Sequence, residues 1–158
     1  MTAVDIQPRP QSLDSSIHWI EADLNDPLNL EKNSFDIIVS AEVIEHLENP
    51  RATAREWFRL LKPGALLIFS TPNNESLRAL IALVMRGHFV DFGDSCYPAH
   101  ITALLRKDMT RILCEAGFSL PQFSFTNIGK IPKYPRYHLQ DLPFFSFGAS
   151  ASVTIFYP

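Results

Sequence analysis

A few acids and histidines of this 158-residue sequence stand where side chains can do chemistry. Asp5 ends the short β-type run Thr2 to Ile6, and Asp23 ends the alternating run Ile17 to Leu24. An ionised carboxylate only accepts hydrogen bonds. At the carboxyl end of a strand, one can therefore take both hydroxyl hydrogens of a ribose, and a second can take the amino hydrogens of an adenine. Each aspartate alone also suits a turn or a helix N-cap; the pair, each closing a β run, favours a nucleotide. The run Glu42-Val43-Ile44-Glu45-His46 faintly resembles a metalloprotease helix, but an H-x-x-E-H zinc motif needs histidine where Glu42 stands. No metal is expected. His46 suits a hydrogen bond to an adjoining loop or a place near a reacting group, and His100, just before a helix, has the same two readings.

The elements that must position these residues follow a strand–helix rhythm. Phe35 to Ala41 is a compact apolar run, expected as a central parallel strand buried on both faces. A short helical turn spans Glu42 to Leu47. Pro50 opens a helix, since its missing N–H has no intrahelical partner to lose. Ala54, Trp57, Phe58 and Leu61 line one face of it, and Lys62-Pro63-Gly64 stops it. Ala65 to Asn73 is the next strand, and Glu75 to Met85 an apolar helix ended by Arg86-Gly87. Gly87 to Ala99 mixes Gly, Asp, Cys, Tyr and Pro and reads as a loop or lid. Arg106 to Ala116 is an amphipathic helix, with Gly117 as its left-handed cap and Phe118 beginning a strand. Pro121 to Phe147 has no clear period, and Ser152 to Pro158 alternates as a last strand. Strands separated by helices of about ten residues imply a doubly wound, mostly parallel α/β sheet. The whole chain, 1–158, reads as one domain, with a core over 1–118 and C-terminal strands over 119–158.

Composition sets the outer limits. With 46% hydrophobic and 20% charged residues the chain is a globular protein. Its net charge of −3 gives no sign of nucleic-acid binding. Arg51, Arg55, Arg59 and Lys62 have helical spacing and read as a solvated helix face. Cys96 and Cys114 form no C-x-x-C pair and are expected as reduced thiols, Cys114 on a buried or half-buried helix face. The apolar stretch Leu77 to Gly87 is far shorter than the roughly 20 residues of a membrane span. A cytoplasmic location is expected.

Several runs, in order, carry a family resemblance. FDIIVSAEVIEHLENP (35–50), LLKPGALLIFSTPN (60–73) and PAHITALLRKDMTRILCEAGF (98–118) resemble the class I S-adenosylmethionine-dependent methyltransferases of types 11 and 12. MTAVDIQP resembles their second strand and IEADLND their third. The resemblance implies a Rossmann-like fold, S-adenosylmethionine as cofactor and a small-molecule methyl acceptor. It implies that Asp5 takes the ribose hydroxyls and Ile6 packs on the adenine. Asp23 then accepts from the adenine amino group, and Leu24 adds a backbone contact and an apolar face. Ser40, Ala41 and Glu42 lie beside the methionine part, and His46 and His100 face the substrate. No catalytic base is assigned: the sulfonium is already electrophilic and the protein mainly aligns the reactants. The acceptor itself is open, a lipid-like, quinone-like or sugar-linked molecule all being compatible.

The family pattern also places a glycine-rich turn, after a central strand, ahead of the ribose acid. The ribose acid here is residue 5, and no G-x-G occurs in the chain. Three outcomes are consistent with this: a piece of a longer protein, which is the expectation, two strands that close up, or a strand from another chain. An N-terminally truncated methyltransferase predicts weak or absent cofactor binding by the 158 residues alone. The alternative is a degenerate, non-catalytic binding or assembly module that self-associates through exposed strand edges.

Overall fold

A computed structural model describes residues 1–125 and the backbone of 150–156. It contains two sheets. In the first, β1 (Thr2–Asp5) pairs in parallel with β2 (His18–Glu21), Asp5 opposite Glu21. The second has four strands in the order β3-β4-β6-β5. There, β3 (Phe35–Ala41) runs parallel to β4 (Leu61–Pro72), and β6 (Ser150–Phe156) runs antiparallel to both β4 and β5 (Gln122–Phe125). Three helices connect them: α1 (Pro50–Leu60), α2 (Leu77–Arg86) and α3 (Arg106–Ala116). The strand–helix rhythm and the α/β class match the sequence reading, as do the bounds of Phe35–Ala41 and Arg106–Ala116. The strand expected over Ile17 to Leu24 is shorter, His18–Glu21, so Asp23 lies in the loop beyond β2. Most of the Pro121 to Phe147 segment lies outside the described residues.

The core forms where α1 and α3 meet one face of β4. Ala65, Leu67, Phe69 and Thr71 alternate along β4 and are buried, the period-2 pattern of a strand with one covered face. Against them pack Ala54 and Trp57 of α1 and Met109 and Leu113 of α3. The rings of Trp57 and Phe69 lie 5.3 Å apart, and Phe58 meets Phe118 edge-on at 5.2 Å. Asn49 caps α1 by accepting from the N–H of Ala52, and Ser76 caps α2 by accepting from Ala79. Gly117 ends α3 at φ 112°, a conformation that suits glycine.

Four expectations need correction. β3 is not buried on both faces: Ile37 and Val39 are 56% and 70% exposed. The apolar run specified a strand, but no described element covers that face. Lys62-Pro63-Gly64 does not separate helix from strand. It lies inside β4, as an irregularity in the pairing with β3, with Gly64 at φ 80°. Phe118 does not begin a strand; it is buried beneath α1, and β5 starts at Gln122. Cys114 is exposed, because the buried stripe of α3 runs through Met109 and Leu113 instead.

The basic cluster on α1 is less idle than a solvated face. Arg51 and Arg55 both reach Glu115 of α3, and Lys62 pairs with Asp36. Arg59 donates to Glu56 at 2.6 and 2.8 Å, and also to the carbonyls of Leu28 and Leu30 at 3.0 and 2.8 Å. Glu56 in turn accepts from the N–H of Leu28 at 3.1 Å. The loop that follows β2 is therefore strapped to α1.

The hydrogen bonds from Arg59 hold the Glu56 carboxyl below the usual glutamate range. A depressed carboxylate stabilises the fold above its unfolded pKa and loses that contribution as pH falls through its folded value. Glu56→Gln should therefore be less stable than wild type by about 1–3 kcal/mol at neutral pH. The gap should close as urea unfolding is repeated at pH values falling below about 4. A gap that stays constant with pH would mean the carboxylate's charge plays no part in the strap.

Candidate functional site

The carboxyl ends of the parallel strands gather most of the residues singled out in the sequence. Asp5 closes β1, and its carbonyl accepts from the N–H of Ala22 at 3.0 Å, fixing the start of the loop that carries Asp23. Each carboxylate uses Oδ1 to hold its own turn: Asp5 accepts from Gln7, and Asp23 from the backbone and side chain of Asn25, all at 2.8–3.0 Å. These are the local turns aspartates commonly make. They orient the carboxylates without using the second oxygens, to which no other described residue donates. Ile6 follows Asp5 and is 60% exposed, an apolar surface beside an acceptor. Beyond Asp23 lies an open cleft of about 390 Å³, lined by Ile20, Asp23, Pro27, Leu28 and Leu30 among others. Leu24 is not among the residues that line it.

Ser40, Ala41 and Glu42 stand at the carboxyl end of β3. Glu42 has φ 51°, in the left-handed region that a residue with a Cβ rarely adopts. Its N–H is held by the Ser70 carbonyl at 3.1 Å and the Ser70 hydroxyl at 3.2 Å, across from β4. Backbone held in a sparsely populated conformation by its surroundings is common at binding sites. Here it turns the chain abruptly out of β3 and into the 3-10 turn Ile44–His46.

That turn is tied to the segment before α3. The N–H groups of Ile101 and Thr102 both donate to the Glu45 carbonyl at 3.0 Å, and the Thr102 hydroxyl donates to Leu47 at 2.6 Å. His46 Nδ1 lies 2.8 Å from the Ala99 carbonyl, so this histidine does hydrogen-bond the adjoining loop. His100 Nδ1 lies 2.7 Å from the Asp91 carbonyl. The two imidazoles meet edge to face, with ring centres 4.7 Å apart. The loop expected over 87–99 is in part regular, with 3-10 turns at Val90–Phe92 and Asp94–Cys96.

Sequence reasoning missed Glu45 as a site residue. It is fully buried, with Oε2 accepting from Thr71 at 3.2 Å. Loss of hydration on burial, more than anything else, pushes its carboxyl up from the ordinary range. The only hint in the sequence is that Glu45 follows the apolar pair Val43-Ile44. Asn74, also buried, donates to the Leu104 carbonyl at 3.1 Å. Glu75 accepts from the backbone and side chain of Arg106. Both fasten the end of β4 to the start of α3.

The two groups of residues sit on different sheets. What joins them is the loop after β2, where Asn25 accepts from the N–H of Glu48 at 2.8 Å. The Asp23 turn is thereby linked to the chain that follows His46. The Asp5 and Asp23 carboxylates thus lie at the carboxyl ends of β1 and β2, and a histidine pair lies beyond β3. The described residues contain no nucleophile–base pair of the kind used in covalent catalysis.

Comparison with known proteins bears on this arrangement. A family model described as a methyltransferase domain matches residues 1–122. The chain is similar to a ubiquinone biosynthesis O-methyltransferase from Xanthomonas oryzae pv. oryzae, 32% identical over 126 residues, with 68% of this chain and 52% of that protein covered. It spans about half the length of the curated relatives it matches. Among solved structures, it resembles an S-adenosylmethionine-dependent methyltransferase from Archaeoglobus fulgidus, with a TM-score of 0.67, 15% identity, and 98% of this chain and 75% of that chain covered. It also resembles an N-methyltransferase from Bradyrhizobium japonicum, solved with S-adenosyl-l-homocysteine, with a TM-score of 0.57, 20% identity, and 99% and 66% of the two chains covered. At these identities the likeness to solved structures is one of fold.

The left-handed backbone at Glu42 leads to a simple expectation. Glu42→Gly should be more stable than Glu42→Ala by about 1 kcal/mol, because only the alanine retains a Cβ in that conformation. Paired denaturation curves of the two variants would check it. An alanine variant as stable as the glycine variant would show that φ at this position relaxes freely.

Proposed function

Because the chain belongs to the class I S-adenosylmethionine-dependent methyltransferase family, we propose that it forms the adenosine-facing and acceptor-facing parts of a site for methyl transfer to a small-molecule oxygen. S-Adenosylmethionine is the cofactor of that family, and the donor–acceptor chemistry of the residues present fits it. The observation that carries the reading is the pair of strand-end carboxylates. Asp5 would hold the ribose hydroxyls and Ile6 would cover one face of the adenine. Asp23 would accept from the adenine amino group, with Leu24 beside it. Ser40, Ala41 and Glu42 would flank the methionine portion, and His46 and His100 the acceptor. The cofactor, when bound, supplies the electrophilic methyl group.

The chain's own residues then bind, orient and shield. Two carboxylates held by their own turns cost little ordering on binding. The loop strapped to α1 keeps Asp23 at a fixed distance from the strand ends. The similarity to O-methyltransferases favours an oxygen acceptor. No described helix is long and apolar enough to cross a membrane, and a cytoplasmic location is part of the proposal. So is weak cofactor binding by these 158 residues alone, since they contain no glycine-rich turn to let backbone approach the cofactor's carboxyl end.

A second reading, a non-catalytic module that assembles with copies of itself, is favoured by the exposed Ile37 and Val39 on β3. Sedimentation separates the two: a strictly monomeric chain over a wide concentration range counts against the module.

The enzyme reading is tested by titrating S-adenosylhomocysteine into wild type, Asp5→Ala and Asp23→Ala by calorimetry. Each lost charge-assisted bond is worth about 1.5–3 kcal/mol, so each variant should bind at least about ten-fold more weakly. Affinity unchanged in both variants would overturn the assignment of the adenosine half-site.

A further inference from the structure

Every residue lining the cleft beside Asp23 falls between positions 20 and 30, and Ile20, Pro27, Leu28 and Leu30 give it apolar walls. Between β2 and β3, residues 22–34 form neither helix nor strand. Such a loop has no strand ladder to shape it, so the form of the cleft follows from what its backbone bonds to elsewhere.

Leu28 is bonded through both of its main-chain groups. Its N–H donates to Glu56 Oε1 at 3.1 Å, and its carbonyl accepts from Arg59 Nη2 at 3.0 Å. The Leu30 carbonyl accepts from Arg59 Nη1 at 2.8 Å. Glu56 and Arg59 stand three residues apart on α1, hence on one face of the helix. They also bond each other, at 2.6 and 2.8 Å. Together they meet one donor and two acceptors of the loop at fixed spacing, as a neighbouring strand would. The Glu56 side chain is only 19% exposed, so water competes little for these bonds. Asp23 is anchored separately. Asn25 donates to its Oδ1 at 3.0 Å and accepts from the N–H of Glu48 at 2.8 Å. The leucine wall is thus fixed through α1, and the carboxylate through the chain beyond β3.

A carboxylate distinguishes purines only when the ring edge is within reach. It accepts from the 6-amino group of adenine and repels the 6-oxo group of hypoxanthine, another acceptor. Resting on the assignment of Asp23 to an adenine amino group made above, we propose that Arg59 and Glu56 are positioning residues that give the cleft its preference for an amino-purine over an oxo-purine. Neither lines the cleft. They hold the Leu28–Leu30 wall on which a purine ring lies, and so keep its amino edge at hydrogen-bond distance from Asp23. With the wall released, the ring tilts and the amino group exchanges the carboxylate for water. Contacts to the ribose do not depend on that wall and are kept.

The test compares S-adenosylhomocysteine with S-inosylhomocysteine, which differ in the amino and oxo groups of the purine. NMR titration of the 158-residue chain suits the weak binding expected of it. Wild type should bind the amino ligand at least about ten-fold more tightly than the oxo ligand. Arg59→Met keeps the aliphatic stem and removes every donor. Its ratio should fall to about three-fold or less, with affinity for the oxo ligand within about two-fold of wild type. A purely structural role would weaken both ligands alike and leave the ratio unchanged. Arg51→Met, also on α1 but paired with Glu115, should retain the wild-type ratio. Should circular dichroism show Arg59→Met unfolded, Glu56→Gln takes its place, since it loses the charge that holds Arg59 and should also lower the ratio. The two ways of failing are distinct. A wild type with no preference overturns the assignment of Asp23 and the positioning role with it. A wild-type preference that persists in the folded variant overturns the positioning role alone.

Discussion

The guanidinium of Arg59 bonds simultaneously to a carboxylate on its own helix and to two carbonyls of the loop that leaves β2. Arg59 belongs to α1, whose other face packs on β4. The two-stranded and four-stranded sheets share no strand pairing among the described residues. Their relative placement therefore depends on what crosses between them, and this strap is the densest crossing. Backbone bonds from Asn33 and Ser34 to the end of α1 run beside it. An arginine suits the position better than a lysine would, since its planar fork meets several fixed acceptors at once. The strand-end carboxylates of Asp5 and Asp23 thus keep their relation to the β3 end through one helix face, not through a continuous sheet.

The second constraint is the turn after β3. A left-handed residue, a 3-10 turn and two amides on one carbonyl reverse the chain within a few residues. The buried Glu45 sits at the centre of that reversal. Thr71, Ile101 and Thr102 contact it from β4 and from the segment before α3. Packing in the core, led by Trp57, Phe69 and Leu113, fixes β4 and α3 relative to α1. The polar cluster inherits its geometry from that apolar layer.

Much of this was legible from residue order. Phe35–Ala41 has no polar interruption beyond Asp36 and Ser40, and Gly117 after Ala116 marks a helix end plainly. Asp5 and Asp23 stand out in the sequence because strand ends in α/β sheets are where ligands bind. Other features do not show in periodicity. The apolar run at β3 says that a strand forms, not what covers it, so the exposure of Ile37 and Val39 could not be read. Burial of Glu45 depends on contacts with Thr71 and with residues 101 and 102, which only the folded chain brings near. The meeting of His46 with His100 is likewise a product of tertiary structure. Cys114 lies one residue beyond Leu113, and a helical stripe moves from inside to outside over that single step.

The convergence of two amides on the Glu45 carbonyl has a bearing on how sequences of this kind can drift. The join is made by main-chain atoms, so it places little demand on the side chain at position 101. Isoleucine there could give way to many residues over time with the geometry intact. Proline is the exception, since it has no N–H to give. A position that looks unconstrained by side-chain chemistry would therefore still exclude one residue, and that exclusion would be the lasting trace of the turn in divergent descendants.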